Sequence, residues 1–421
     1  MMIHKLVKKA QQHPLINMLI HMKGNPKVCI LLEPLWGIPF NLIAPFATLY
    51  MYALGVTDVQ IGLILSISMC VQLAFSLLGG IIADKLGRKT TTILGDFFGW
   101  TVACLIWAFS QNFWFFLIAV LMNSFEQINQ TAWVCLLMED ADKRHTVSIY
   151  TWISIAGLLA VFFAPISGIL VGKFSLVPVV RILYIVFAAT MIVKDIVTWK
   201  YTTETRQGRI RMQETKGVSP LTMLLEYKKV IPEIFKNKAT LQTLAIMIFI
   251  YITNMVSTNF FGLYVGDTLG VKEEYLAYFP IIKAIVMIVF MFGLQHKIKK
   301  IKIPLIVGLG IYIGAQLLLI ASPKGQIITI ILYIFLDAVA NAIVYPRKES
   351  MLILNVDEGE RARIMALMTT LMIAFSVPFG YLTGFLSSID RRLPFVFGVI
   401  MFTLSILVVS KSKEPEPTEA S

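Results

Sequence analysis

Gly80-Ile81-Ile82-Ala83-Asp84-Lys85-Leu86-Gly87-Arg88-Lys89 is a short charged loop between two long apolar runs, residues 59–82 and 91–110. Each run has about the 20 mostly apolar residues that a helix needs to cross a bilayer. Ten more such runs follow the same rule: 28–54, 113–138, 146–170, 177–199, 239–265, 276–295, 303–322, 327–345, 364–386 and 393–409. None alternates apolar and polar residues as a membrane barrel strand does, so all twelve are predicted as helices. The first run begins too late, and is too long, for a cleavable signal peptide.

The whole chain agrees. Its 421 residues are 57% hydrophobic and 15% charged, where soluble chains carry about 25% charge. Mean hydropathy is +0.76. A soluble enzyme and a disordered chain are both excluded by this composition. The formal net charge of +12 belongs to loops beside the spans, so it signals topology and not nucleic acid. With the N-terminus placed in the cytoplasm, inner segments hold 29 Lys and Arg and outer segments six, with Lys194 and Lys283 inside spans. That bias predicts a multi-pass protein of the cell membrane with both termini cytoplasmic.

Cys29, Cys70, Cys104 and Cys135 fall in apolar runs without C-x-x-C spacing, and His4, His13, His21, His145 and His296 lie in or beside polar segments. No metal cage, cofactor or disulfide framework is expected. The phosphate-cradling G-x-x-x-x-G-K-[ST] pattern of an ATP-driven engine is absent.

The longest connection, residues 200–238, divides the chain into six spans and six: an N-terminal segment (1–27), a first bundle (28–199), the linker, a second bundle (239–409) and a tail (410–421). Within the linker, residues 221–235 read as an amphipathic helix on the inner leaflet. The halves repeat at an offset of about 213 to 217 residues. Leu49-Tyr50 and then Leu54-Gly55-Val56 match Leu263-Tyr264 and then Leu269-Gly270-Val271, with one residue extra. Asp140, Asp142, Lys143 and Arg144 match Asp357, Glu358, Glu360 and Arg361, and Pro165 matches Pro378. Parallel repeats of this kind place a transporter's substrate at their interface, near the midplane.

The loop 80–89 resembles the signature loop of the major facilitator superfamily, G-x-L-a-D-[RK]-x-G-[RK]-[RK], departing only at Ile82. The resemblance implies an all-α integral membrane protein of 12 helices in two pseudo-symmetric bundles that rock about a central cavity. It also implies a gate of Gly80, Asp84, Lys85, Gly87, Arg88 and Lys89, with Glu139 and Asp140 at the same level, braced against the second half near the eleventh span. The plain alternative is a helix end decorated with charge.

Polar side chains inside spans are costly and usually face a cavity or a partner. Asn123, Glu126, Gln127 and Gln130 share one face of the fourth span by their i, i+3, i+4, i+7 spacing. Glu126 reads as a proton carrier or as a salt-bridge partner. Glu33 with Glu126 resembles the acids of some sugar–proton symporters of the superfamily, although Glu33 also fits a headgroup contact. Asn41 lies deeper in the first span, and Asp96 in the third suits nearby bases. In the second half Thr253, Asn254, Ser257, Thr258 and Asn259 suit hydroxyl or amide recognition, or helix-to-helix bonding. Lys283 calls for an acid, Asp337 or Glu126, and Asp337 is a third proton-coupling candidate. Asn341 and Arg347 are placed along the inner vestibule.

These residues favour a proton-coupled symporter of a sugar-like or other hydroxylated small solute, acting as a monomer in the bilayer. The alternative is a proton-coupled exporter of amphipathic drugs or metabolites. Such exporters often carry G-P-x-x-G-G in span five and an Arg in span four. Here Ala164-Pro165-Ile166-Ser167-Gly168-Ile169 and Glu126 stand instead. A non-transporting sensor, the third option, would be expected to carry a soluble domain, and none is evident.

Overall fold

A computed structural model describes residues 14–142, 146–220, 237–293, 300–354 and 361–414. The linker's amphipathic stretch, the acidic trio Asp357, Glu358 and Glu360, and His4, His13, His145, His296, Lys143 and Arg144 lie outside the described residues.

The chain is a succession of long apolar helices. We label them α1 (Asn25–Ala53), α2 (Asp58–Leu86), α3 (Arg88–Phe109), α4 (Phe113–Asn123 and Glu126–Met138), α5 (Thr146–Val161 and Ala164–Phe174) and α6 (Leu176–Tyr201) in the first half. The second half has α7 (Lys238–Thr268), α8 (Phe279–Gly293), α9 (Lys302–Ile320), α10 (Ile327–Leu354), α11 (Arg361–Ile389) and α12 (Leu393–Lys411). Ten helices among the described residues are long and apolar enough to cross a bilayer. The other two predicted spans are α4, broken at Ser124-Phe125, and α8, described for only 15 residues.

Helix boundaries follow local chemistry. Thr57 and Gln60 form a reciprocal capping box at the start of α2, satisfying backbone donors a helix end leaves bare. Asn112 caps α4 and Asn237 caps α7 in the same sense. Pro165 opens the second piece of α5, where its missing N–H costs nothing.

The internal repeat is visible in bonding. Tyr50 donates its hydroxyl to the Trp107 carbonyl at 3.1 Å, and Tyr264 donates to the Leu319 carbonyl at 3.3 Å. Arg181 also bonds the Tyr50 hydroxyl. Gly55 and Gly270 both turn with positive φ, 83° and 71°. The extra residue of the second copy is taken up as a π turn at Tyr264–Thr268, the usual form of a one-residue helix insertion.

The halves meet most closely where α2 crosses α11. A Cβ on Gly62 would stand 2.7 Å from the Gly384 Cα and the Gly380 carbonyl oxygen. Close helix approach of this kind needs small residues. Ser66 enters the α11 ladder itself: its hydroxyl donates to the Val377 carbonyl at 2.6 Å and accepts from the Tyr381 N–H at 2.7 Å. Those two backbone groups flank Pro378, where a helix is already weakened.

Candidate functional site

Four polar groupings organise the molecule, one on each face and one in each half. On the basic face, which carries the loop 84–89, Arg88 is 6% exposed. Its guanidinium holds Asp84 at 2.7 Å and Glu139 at 3.1 Å. The second Asp84 oxygen binds Arg211 at 2.8 Å. Arg211 belongs to a short helix, Arg206–Glu214, that follows α6. Glu204, just before it, accepts the first two N–H groups of α3, from Arg88 at 2.9 Å and Lys89 at 3.0 Å. A carboxylate at a helix N-terminus answers the bare donors and the dipole there. Lys89 Nζ in turn binds the Trp199 and Thr202 carbonyls, and Arg206 donates its N–H to Asp140. Gly87 turns at φ 85° with the Glu204 carboxylate against it. The predicted loop residues are therefore joined, but to one another and to the linker. Among the described residues their partners beyond the loop include Arg211, Glu204 and Thr215; residues 355–360, which lead into α11 where the bracing was expected, lie outside the described residues.

A charged contact between the halves lies on the opposite face. Arg391, past α11, holds both oxygens of Asp58 at the start of α2, at 3.0 and 3.2 Å. It also binds Asp267 at the end of α7 and stacks 4.5 Å from the Tyr52 ring. Ser387 donates to Asp58 at 2.6 Å.

Inside the first half, Glu33 and Trp36 of α1, Asp96 and Trp100 of α3, Glu126, Asn129, Gln130 and Trp133 of α4, and Lys194 of α6 line a cavity of about 160 Å³. Lys194 pairs with Asp96 at 2.8 Å, with 8% and 2% of their side chains exposed. Asn129 donates to the same carboxylate at 2.7 Å. Glu33 and Glu126 make no hydrogen bond or ion pair among the described residues. Next to Lys194, Asp195 has both oxygens buried without a hydrogen bond.

The predicted stripe on α4 is not continuous. Asn123 turns away from the cavity, accepting from the Trp107 indole at 2.8 Å and donating to the Gly99 carbonyl at 2.7 Å. Gly99 lies in a π segment of α3, Phe97–Val102, where the helical ladder is interrupted and carbonyls need other donors. The break at Ser124-Phe125 then resets the phase, so Glu126 and Gln130 line the cavity without Asn123. Gln127 is half-buried and lines neither this cavity nor the next.

In the second half, Asn254, Ser257, Thr258, Lys283, Asp337 and Asn341 line a cavity of about 470 Å³, closed by Phe261, Phe279, Tyr333 and the α1 turn at Ala44, Pro45 and Thr48. Lys283 pairs with Asp337 at 2.6 Å, which settles its partner in favour of Asp337 over Glu126. Asn41 and Asn259 instead donate to carbonyls of their own helices, Gly37 and Met255. Arg347 is 5% exposed and donates to the Ile343 carbonyl, and it is not among the residues lining these two cavities.

Two membrane-embedded bundles with a cavity where they meet define a carrier. The sequence profile of the Major Facilitator Superfamily matches residues 36–372, and the chain belongs to that superfamily. That superfamily is one of secondary transporters of small molecules, not of enzymes. The multidrug resistance protein MdtG of Citrobacter koseri is 26% identical over 230 residues, 53% of this chain and 55% of that protein. The MdtG of Serratia proteamaculans is 38% identical over 104 residues, 24% of this chain and 25% of its own. The chain thus spans about half the length, or less, of these relatives. The solved nucleoside transporter NupG superposes with a TM-score of 0.67 at 17% identity, over 92% of this chain and 99% of its own. A bacterial homolog of the human lysosomal transporter Spinster, solved inward-facing and unoccupied, gives 0.71 at 12% identity over 94% and 97%. At these identities the structures share the fold alone.

Proposed function

We propose that the chain exports amphipathic compounds across the cell membrane in exchange for protons, with its basic face and both termini in the cytoplasm. The partial similarity to MdtG supports export over the uptake of a sugar-like solute. So does the larger cavity, where three aromatic rings stand among amides and hydroxyls. Mixed walls of that kind suit a solute with an apolar body and a polar handle. The orientation rests on the Lys and Arg bias.

One observation carries the coupling: the Glu126 carboxylate lines a cavity inside the first half with no ion-pair partner within 4 Å among the described residues. Acids inside membrane spans that face a cavity are the usual proton relays of transporters. Gln keeps the shape and cannot ionise. Glu126→Gln should therefore abolish dye or drug accumulation driven by a pH gradient in proteoliposomes, while substrate exchange without a gradient survives. Normal gradient-driven accumulation by the variant would remove Glu126 from the mechanism. Uptake of neutral sugars with no drug movement would return the hydroxylated-solute reading, for which Asn254, Ser257 and Thr258 are the available groups.

A further inference from the structure

The larger cavity, at about 470 Å³, falls within the roughly 300–1,000 Å³ usual for small-molecule sites, and its polar groups are left open selectively. In the polar run of α7, Thr253 and Asn259 lie off the cavity and donate to their own helix, at the Ile250 and Met255 carbonyls. Asn254 and Thr258 line the cavity, as does Asn341 of α10, and these three make no hydrogen bond among the described residues. The charges repeat the pattern. The Lys194 and Asp96 side chains of the first half are 8% and 2% exposed, a closed pair. In the second half the Asp337 side chain is 10% exposed but that of Lys283 is 37%, and both line the cavity. One Lys283 N–H is committed to Asp337 Oδ2, and an ammonium has three. Asp337 Oδ1 accepts no hydrogen bond among the described residues. The cavity thus holds one charge of each sign. A cation that took Asp337 would leave Lys283 unpaired, and an anion that took Lys283 would strand the buried Asp337, which is costly. A guest bearing both charges replaces each partner as the pair opens and strands neither. Beside the pair, Phe261 stacks on Tyr333 at 5.3 Å and meets Phe279 edge-on at 5.9 Å, one apolar wall for the rest of the guest.

We propose that Lys283 and Asp337 part to admit an amphipathic zwitterion, with its carboxylate on the Lys283 ammonium, its ammonium on the Asp337 carboxylate and its apolar body against the three rings. Asn254, Thr258 and Asn341 serve its remaining polar atoms. The exported compounds then include aromatic amino acids and other amphipaths with an amino-acid-like head. This rests on the export reading above and names a substrate class for it.

The test uses the purified full chain in lipid nanodiscs and isothermal titration at neutral pH with L-tryptophan, tryptamine and indole-3-propionate. All three carry an indole; tryptophan has both charged groups, tryptamine only the ammonium and indole-3-propionate only the carboxylate. Tryptophan should bind saturably, and each of the others at least about tenfold more weakly, the loss expected when one charged hydrogen-bonding partner is missing. Lys283→Met should weaken tryptophan and indole-3-propionate but tighten tryptamine, because Asp337 is freed. Asp337→Asn should weaken tryptophan and tryptamine but tighten indole-3-propionate, because Lys283 is freed. A purely structural pair would shift all three probes the same way. Melting temperature identifies any variant that fails to fold, and the comparison of the three probes on the unmodified protein needs no variant. No saturable binding of tryptophan, binding of either single-charge probe as tight as that of tryptophan, or a common direction of change for all three probes in folded variants would each overturn the proposal. Tryptophan binding without pH-driven export of any amphipath from proteoliposomes would instead refute the export reading and leave the site standing. Export of singly charged or neutral drugs without tryptophan binding would do the reverse.

Discussion

Arg391 holds the face opposite the basic one shut, and removing it should open that face. The Arg391 and Asp58 side chains are 12% and 8% exposed, and the guanidinium takes both carboxylate oxygens, at 3.0 and 3.2 Å. Asp58 belongs to the first half and Arg391 to the second, so the pair exists only while the halves touch there. Removing one partner of a buried pair costs about 3–5 kcal/mol because the other charge is stranded. The low end applies here, since Ser387 still donates to Asp58 and Asp267 is 47% exposed. When the face opens, Asp58 regains water, so the penalty of Arg391→Ala falls on the closed state alone. At 1.4 kcal/mol per factor of ten, about 3 kcal/mol shifts the closed-to-open ratio roughly 150-fold. A carrier about 99% closed on this face would become more than half open.

The assay is a distance measurement between spin labels at Gln111→Cys and Lys324→Cys, exposed sites in loops of the two halves on that face. Cys70 and Cys135 would be replaced; Cys29 and Cys104 are buried and do not label. The variant should gain a long-distance population that the unmodified protein lacks. Arg391→Lys should fall between, because an ammonium keeps the charge but not the two-pronged geometry. Identical distance distributions for Arg391→Ala and the unmodified protein would refute the latch.

Three further outcomes follow from the same geometry. Gly384→Ala should open the same face, because its Cβ would stand 2.6 Å from the Asp58 carbonyl oxygen and 2.7 Å from the Gly62 Cα; the same spin-label pair reads it. Asp84→Asn removes one ionic partner from each of Arg88 and Arg211, leaving Glu139 and Glu214 to them. It should speed proteolysis at Arg206, Arg209 and Arg211 several-fold and slow transport, while substrate still binds in a titration. Lys194→Met strands Asp96 and should cost about 3–5 kcal/mol, read as a lower melting temperature. Lys194→Met with Asp96→Leu should recover much of that stability, and a double variant no better than the single would show that the pair is not the unit.

The fold was legible because hydropathy over about 20 residues is a strong one-dimensional signal. The signature loop and the repeated Tyr-Gly turns fixed the order of the halves. What escaped depends on which helices touch. Lys194 was recognised as lying inside a span and Asp96 as needing a base, yet nothing in one sequence sets α6 against α3 at the matching depth. Asp195 drew no attention because a charge beside a Lys near a helix end looks like snorkelling. The helix Arg206–Glu214 is polar all round, so periodicity could not mark it; its order comes from Asp84, Glu204 and Thr205.

The two charged faces differ in a way that matters for a carrier with alternating access. On the basic face the ion pairs of Asp84, Arg88, Glu139 and Arg211 among the described residues join parts of the first half and its linker. On the opposite face Asp58–Arg391 crosses between the halves, and Ser66 in the α11 ladder adds a second crossing. Only bonds that cross the halves weigh one conformation against another, because bonds within a rigid bundle survive its rotation and contribute equally to both states. Among the described residues, the ion pair that crosses the halves thus lies near Arg391, while the basic-face pairs named here join parts of one bundle and its linker. Substitutions of equal local cost should therefore act differently: near Arg391 they redistribute states, and near Arg88 they loosen the first half without favouring either.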